Sequence, residues 1–316
     1  MLFSVVVPLY NRERHIARAV ASVLGQSCRD FELIVVDDGS TDSGAERVTT
    51  IDDPRLRLVR QGNAGPGAAR SRGMHESRGE WVAFLDADDI WFPEHLSELA
   101  AMAERFPAAG LLATGYRQGS DPDPMPPADG PATVREIDYF REAARRIGVV
   151  WTSATAVRRE VARTIGDFDT SHTGEDLDYW ARVALVAPII RSSRVTAYYF
   201  RHGESLMALH DRNMDGLRVP EGLADIWPSV ALLEEARRAD AHADRREAIE
   251  LYQRGAVYLT MLGYAVRGRI EDARRLRRLL PGHHADKAAV LGLALSLPAP
   301  LWRGALKLRN AMRPRA

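Results

Sequence analysis

Three short acidic clusters carry residue types that can do chemistry together: Asp37-Asp38, Asp86-Ala87-Asp88 and Glu175-Asp176. Asp86 and Asp88 leave an apolar run at alternate positions and can direct two hard oxygen donors toward one region. Mg2+ or Mn2+ binds in this way, with phosphate oxygens and water completing its shell. The triplet reads equally as a strand-end turn with an Asp helix cap, because a lone D-x-D is a weak motif. A calcium loop is excluded, since Trp91 stands where that loop needs glycine. Asp38 can accept a hydrogen bond from a base imide or a ribose hydroxyl, with Tyr10 stacking nearby. The alternative is that Asp38-Gly39 makes a turn and Ser40 caps a helix. Glu175-Asp176 opens a helix after Gly174, where a carboxylate suits a general base or simply complements the helix dipole.

Gly62 to Arg70 (GNAGPGAAR) is a glycine-rich approach to a helix, suited to a phosphate near exposed N–H groups. It lacks the dinucleotide fingerprint, because Arg70 occupies the position of the last glycine, and no G-x-x-x-x-G-K-[ST] occurs. Arg70 can pair with a diphosphate or stay solvated in the first turn of its helix. His202, in Arg201-His202-Gly203, follows a strand-like run and can reach a metal or diphosphate, or be structural. No H-E-x-x-H occurs among the nine histidines.

Positioning these groups requires an alternation of strands and crossover helices, and the first hundred residues supply it. Apolar runs predict strands at Phe3 to Leu9, Phe31 to Val36, Leu56 to Arg60, Trp81 to Leu85 and Leu111 to Tyr116. Helical spacing of Ile16, Val20, Val23 and Leu24 predicts the first helix, with Asn11 as its N-cap and Glu13 in its first turn. Helices are expected from about Asp42, from about Gly67 and after Trp91, the last with Pro93 in its first turn. Further on, the pattern predicts a helix over Val134 to Arg146, a β-like stretch over Thr152 to Val157, a helix over Asp176 to Val186 and a strand over Thr196 to Phe200. Gly119 to Pro131 is rich in Pro, Asp and Gly and reads as a mobile loop. After about Asp211 the chain turns to Ala, Arg, Glu and Leu at helical periods. The expected division is 1–210, split near 116 into two halves, and a helical subdomain over 211–316. No internal repeat is evident. In an open α/β sheet ligands bind beyond the carboxyl ends of the strands, where Pro8-Leu9-Tyr10-Asn11, Asp37-Asp38 and Asp86-Ala87-Asp88 all fall.

Composition bounds the function classes. The 316 residues carry 43 Lys+Arg against 43 Asp+Glu, so the balance is neutral and a nucleic-acid partner held by a basic surface is not expected. With 46% hydrophobic and 27% charged residues the chain is of ordinary globular type. The single cysteine, Cys28, excludes an intrachain disulfide and a cysteine-based zinc cluster, and fits a reducing cytoplasm. The start has no basic n-region, so no signal peptide is expected. From Arg267 onward twelve Lys/Arg oppose three acids. The apolar run Ala288 to Trp302 is 15 residues with two prolines, short of the roughly 20 of a spanning helix. Leu291, Leu295, Trp302 and Leu306 among basic residues suit an anionic membrane surface. They suit equally a subdomain packed on the rest of the chain or in a homodimer interface.

Taken in order, VVVPLYN, FELIVVDDGSTD, NAGPGAARSRG, GEWVAFLDADDIWFPEHL, GEDLDYWARV and YYFRHGES resemble the family 2 glycosyltransferases over residues 2–205. The resemblance implies the GT-A fold: a mixed, mainly parallel α/β sheet flanked by helices, with a nucleotide-binding half joined to an acceptor-binding half. It implies inverting transfer from a nucleoside-diphosphate sugar to a saccharide, lipid-linked or small-molecule hydroxyl, with Mg2+ or Mn2+, in polysaccharide or glycoconjugate synthesis. By motif, Pro8 through its backbone, Tyr10, Asn11 and Asp38 are expected at the nucleoside, with Arg70 and Asp86 at the donor. Asp86 and Asp88 form the D-x-D, Asp88 the direct metal ligand, with His202 as a further ligand. Asp176 is expected as the catalytic base beside Glu175. Ser71 departs from the Asn common after this Arg, and the Gly119 to Pro131 insert is expected in an acceptor lid. A cytoplasmic protein, peripheral at the inner face of a membrane where its tail binds lipid, follows from these readings. A silent nucleotide-sugar-binding module on the same fold is the competing class. A nucleotidyltransferase is disfavoured because PLYNRERH is a poor match for its glycine-rich loop, and a dehydrogenase for want of its fingerprint.

Overall fold

The computed structural model describes residues 1–127, 130–170, 174–202, 220–221, 228–266 and 269–279. The apolar run Phe3–Leu9 forms β1, buried on both faces as a central parallel strand must be. It is flanked by β2 (Phe31–Asp38) and β4 (Trp81–Phe84), both parallel to it, and β3 (Leu56–Gln61) extends β2. The crossovers are α1 (Ile16–Leu24), α2 (Gly44–Thr49) and α3 (Pro66–Glu76).

Beyond β4 the sheet becomes mixed. After β5 (Ile90–Trp91) and α4 (His95–Arg105), β6 (Leu111–Gly119) leads into β7 (Val134–Ile137) and α5 (Tyr139–Arg145). A 3-10 turn over Thr152–Ala154 then feeds β8 (Thr155–Arg158), which inserts antiparallel between β4 and β6. Next come α6 (Arg159–Ile165), α7 (Glu175–Val186) and β9 (Ile189–Phe200). The strand order is β3-β2-β1-β4-β8-β6-β9-β5, with β7 also on β9, nine strands among the described residues.

Alternate residues of the central strands feed two cores. Val6, Ile34, Val82 and Phe84 face one side, with Trp180, Phe140 and Phe168, while Val5, Val7, Leu33 and Ala83 face the other, with Ile16, Val20 and Leu96. On the first side lie also Leu233 of α8 (Pro228–Arg238) and Ile249 and Tyr252 of α9 (Arg246–Val266); α10 (Ile270–Leu276) follows.

Four local expectations are corrected. Val134 to Arg146 is not one helix: Val134–Ile137 pairs with β9, and Asp138 then caps α5 by accepting from the Arg141 N–H at 3.1 Å. Asn11 does not cap α1, whose N-cap is His15; Asn11 holds φ +51° instead. Pro93 precedes α4, which begins at His95. The β-like character of 152–157 starts only at Thr155. The expected boundary near 210 and the basic, apolar tail from 280 to 316 lie outside the described residues.

Candidate active site

The parallel strands β1, β2 and β4 share one carboxyl edge of the sheet, where Asp37-Asp38 end β2 and Asp86-Ala87-Asp88 follow β4, while Glu175-Asp176 open α7. Asp38, 3% exposed, ends β2 and organises the glycine loop beside it. Its Oδ1 accepts from Gln61 Nε2 at 2.8 Å and the Ala64 N–H at 2.9 Å, and its Oδ2 from the Gly65 N–H at 2.8 Å. A carboxylate has about four acceptor positions, and among the described residues three of those of Asp38 are taken. Gly39 is glycine for a reason: at φ +74°, a Cβ there would lie 2.9 Å from the Asn63 N, and the loop could not close on Asp38. Asp37 turns away, accepting from the Ser40 N–H at 2.9 Å. Pro8 lies within β1 opposite Val36, and Tyr10 stands 44% exposed just past the strand. Asn11 fastens the two turns together, its Oδ1 accepting from the Thr41 N–H at 2.8 Å and its own N–H donating to Ser40 Oγ at 3.2 Å.

At the end of β4, Arg70 of α3 joins two of the acidic clusters. Its Nη2 donates to Asp86 Oδ1 at 2.7 Å and its Nη1 to Glu175 Oε1 at 2.8 Å, with the side chain 6% exposed. Burial works against its charge, but Asp86 and Glu175 overcome that and raise its pKa above the ordinary arginine value. Asp176 is next along α7. Its Oδ2 accepts from Thr152 Oγ1 at 3.1 Å and its Oδ1 from the Leu177 N–H at 2.8 Å. Burial, then the charge of Glu175, push its carboxyl up to about 6, against the opposing pull of Arg70 and these hydrogen bonds. The acids in the first turn of α7 also face the helix dipole favourably.

Asp88 belongs to a separate group. Its Oδ2 lies 2.9 Å from His202 Nε2 and accepts from Arg12 Nε at 3.1 Å. Burial disfavours its charge, yet the His202 bond and Arg12 hold its pKa below the usual carboxylate value. His202 stacks on Phe200, with ring centroids 5.5 Å apart, and its ring centroid lies 4.6 Å from that of His15. Asp86 and Asp88 therefore face different partners, and no group of three His, Cys, Asp or Glu side chains gathers at one point among the described residues. Asp88 and His202 offer a carboxylate and an imidazole, donor types that a divalent cation takes, but here they are bonded to each other and Arg12 shares the same Asp88 oxygen.

Four residues of this edge escaped the reading of the sequence. Arg12 stands in PLYNRERH, where it served only as a mismatch to another motif. Asp89 is the last acid of Asp86-Ala87-Asp88-Asp89, yet it is 1% exposed and points inward. Burial, then the charges of Asp88 and Asp86, raise its pKa well above the ordinary value. Thr152 and Ser153 carry no sequence signal, being two small hydroxyls in a β-like stretch.

The comparisons with known proteins agree with this architecture. The family model described as glycosyl transferase family 2 matches residues 4–166. An uncharacterised glycosyltransferase of Nostoc sp. is 32% identical over 178 residues, 54% of each chain. The succinoglycan biosynthesis protein ExoO of Rhizobium meliloti is 44% identical over 106 residues, 33% of this chain and 30% of that protein. The matches thus span about half or less of these relatives. Among solved structures, S. aureus TarS 1–349 in complex with UDP-GlcNAc aligns at TM-score 0.69 and 21% identity, covering 89% of this chain and 82% of that one. The mannosyltransferase PcManGT of Pyrobaculum calidifontis, in complex with GDP-Man and Mn2+, aligns at TM-score 0.59 and 18% identity, covering 96% and 83%. At these identities the structural likeness speaks for the fold, which is GT-A. With the family match over more than half its length, the chain belongs to glycosyl transferase family 2.

Proposed function

We propose that this glycosyltransferase moves a sugar from a nucleoside-diphosphate sugar to an acceptor hydroxyl by a single inverting displacement. The observation that carries the reading is Asp176. It is a half-buried carboxylate with a pKa near 6, beside the Asp86–Arg70–Glu175 bridge and on the same sheet edge as the Asp38 loop. A base titrating close to working pH is both mostly ionised and basic enough to take a proton, a contribution of about 10²- to 10⁴-fold in rate.

In this reading the Asp38 carboxylate accepts from one N–H or O–H of the nucleoside, with the Pro8 backbone, Tyr10 and Asn11 lining the same place. Asp86, fixed by Arg70, faces the donor. Asp88 and His202 would hold Mg2+ or Mn2+, which would supply positive charge to offset that of the leaving diphosphate. Asp176 takes the proton of the acceptor hydroxyl while that oxygen bonds to the anomeric carbon. The bond from that carbon to the diphosphate breaks on the opposite face, and the nucleoside diphosphate leaves with the electron pair. Glu175 keeps Arg70 in place beside Asp176. UDP-GlcNAc and GDP-Man in the solved relatives support a nucleotide-sugar donor, and the relatives named for succinoglycan biosynthesis support a saccharide acceptor in polysaccharide assembly.

The test is turnover and donor affinity of wild type and Asp176→Asn against UDP, GDP, dTDP and CDP sugars, with Mn2+ or with EDTA. The variant is expected to bind the donor within threefold of wild type and to lose at least about 10²-fold in turnover. The product anomer, read by NMR, is expected to be inverted. A wild-type protein that binds a donor and never turns it over with any saccharide acceptor identifies a silent binding module instead.

A further inference from the structure

Asp89 is not part of the bridge described above, yet it touches three of the segments that build the site. Its Oδ2 accepts from Ser153 Oγ at 2.5 Å and, more distantly, from Trp151 Nε1 at 3.5 Å. Its Oδ1 accepts from the Phe200 N–H at 3.0 Å, at the end of the strand that leads to His202. Ser153 is also tied from elsewhere. Its Oγ accepts from the Asp86 N–H at 3.1 Å, and its carbonyl accepts from Trp91 Nε1 at 2.6 Å. The residue before it, Thr152, donates to Asp176. Asp89 and Ser153 are each 1% exposed and Thr152 is 3% exposed, so water cannot replace these bonds without opening the core.

A four-residue turn with three acids needs only the first and third for the donor and cation roles proposed. Burying the fourth costs free energy unless its hydrogen bonds are made. Among the described residues its carboxylate bonds reach Ser153, Trp151 and the Phe200 N–H, in the segments that carry Thr152 and lead to His202. We propose that Asp89 is a positioning residue for the catalytic base: through Ser153 it fixes the Thr152–Ala154 turn to the donor-facing turn, and so holds the Thr152 hydroxyl on Asp176. The inference takes the role of Asp176 from the reading above.

The experiment is a 13C NMR titration of the 316-residue chain labelled at aspartate carboxyls, with the Asp176 signal assigned by its loss in Asp176→Asn. Thr152→Ala removes the last link directly and is expected to raise the Asp176 midpoint by about half a unit, the scale of one hydrogen bond to the charged form. Ser153→Ala and Asp89→Asn are expected to raise it in the same direction by at least half as much. Neither is expected to add to Thr152→Ala in the double variants, because the three act along one chain of contacts. A wild-type midpoint in Ser153→Ala and Asp89→Asn overturns the proposal, and so do additive shifts or an unmoved Thr152→Ala. Ser153→Ala breaks the same link while leaving the acid in place, so the answer stands even if Asp89→Asn fails to fold. The titration uses no donor: it decides the strut, whereas a fully active Asp176→Asn protein overturns the base assignment.

Discussion

At the scale of the residue, the site is a set of carboxylates separated by what surrounds each of them. Asp38 spends three acceptor positions on Gln61 and the glycine loop, Asp86 shares Arg70 with Glu175, Asp88 pairs with His202 and Arg12, and burial raises the proton affinity of Asp176. This last difference has a measurable sign. The Asp176 carboxyl binds its proton more tightly in the folded chain, at about 6, than in the unfolded chain, at 3.8. Its contribution to stability is therefore fully present below about pH 4 and is lost as the pH rises through 6. Asp176→Asn, which removes the charge and keeps the shape, is expected to be stabilised over wild type by about 1–2 kcal/mol at pH 8, the full shift being discounted for partial exposure, and by little at pH 4. Urea unfolding at the two pH values measures it, and an equal gain at both would place the effect elsewhere. The kinetic counterpart is an acid limb in wild-type turnover with a midpoint near 6. Much of this edge was legible in the sequence, because acids after apolar runs announce strand ends. The partners were not: Arg70 meets Glu175 across 105 positions of chain and Arg12 meets Asp88 across 76, and no local pattern encodes such pairs.

At the scale of the element, the parallel half declares itself by composition and the mixed half does not. β1, β2 and β4 are continuous apolar runs because both faces are covered, so their place follows from residue type alone. β7 is four residues, and Val134, Ile137 and Phe140 carry a helix-like spacing. Only its pairing with β9, more than fifty residues on, makes it a strand. The close approach of α3 to β1 is another feature set by tertiary contact. Gly73 faces Val6 so closely that a Cβ there would lie 2.2 Å from Val6 Cγ1, with the core Val6 side chain 0% exposed and unable to yield. Gly73→Ala is expected to cost about 2–3 kcal/mol, against the usual gain from alanine in a helix, because overpacking must move either the helix or the central strand. Since α3 also carries Arg70, the shift is expected to raise the donor Kd as well. Denaturant unfolding and calorimetry with the donor found in the screen check both effects, and a stabilised Gly73→Ala protein would refute the packing argument.

At the scale of the whole molecule, the question is whether the helices after residue 228 are an appendage or part of the enzyme's body. The change to an Ala, Arg and Glu-rich sequence suggests a separate unit, but the packing argues for a shared interior. Ile249, Tyr252, Ala256 and Val257 of α9 are buried at helical spacing, and Tyr252 lies between Tyr139 and Phe140 of α5, with ring centroids 5.9 and 5.8 Å away. Its hydroxyl bonds Ser229 of α8 at 3.0 Å, so one side chain closes α5, α8 and α9 together. The same apolar cluster continues to Phe84 of β4, next to the acidic turn, and to Trp180 of α7, the helix that presents Asp176. Among the described residues no helix is long and apolar enough to cross a membrane. Tyr252→Ala is expected to cost about 3–5 kcal/mol, the range for truncating a buried aromatic. If the interior is shared, the loss lowers a single unfolding transition seen alike by far-ultraviolet circular dichroism and by tryptophan fluorescence. All six tryptophans but Trp227 and Trp302 lie before α7 ends, so the fluorescence reports mainly on the sheet. Two transitions, with only the helical signal moving, would instead make the C-terminal helices a unit that folds by itself. A saturating donor then separates the two cases once more: at about 100 Kd it adds roughly 2.7 kcal/mol to whatever unfolds with the site, and a shared body carries that gain into the helical signal as well.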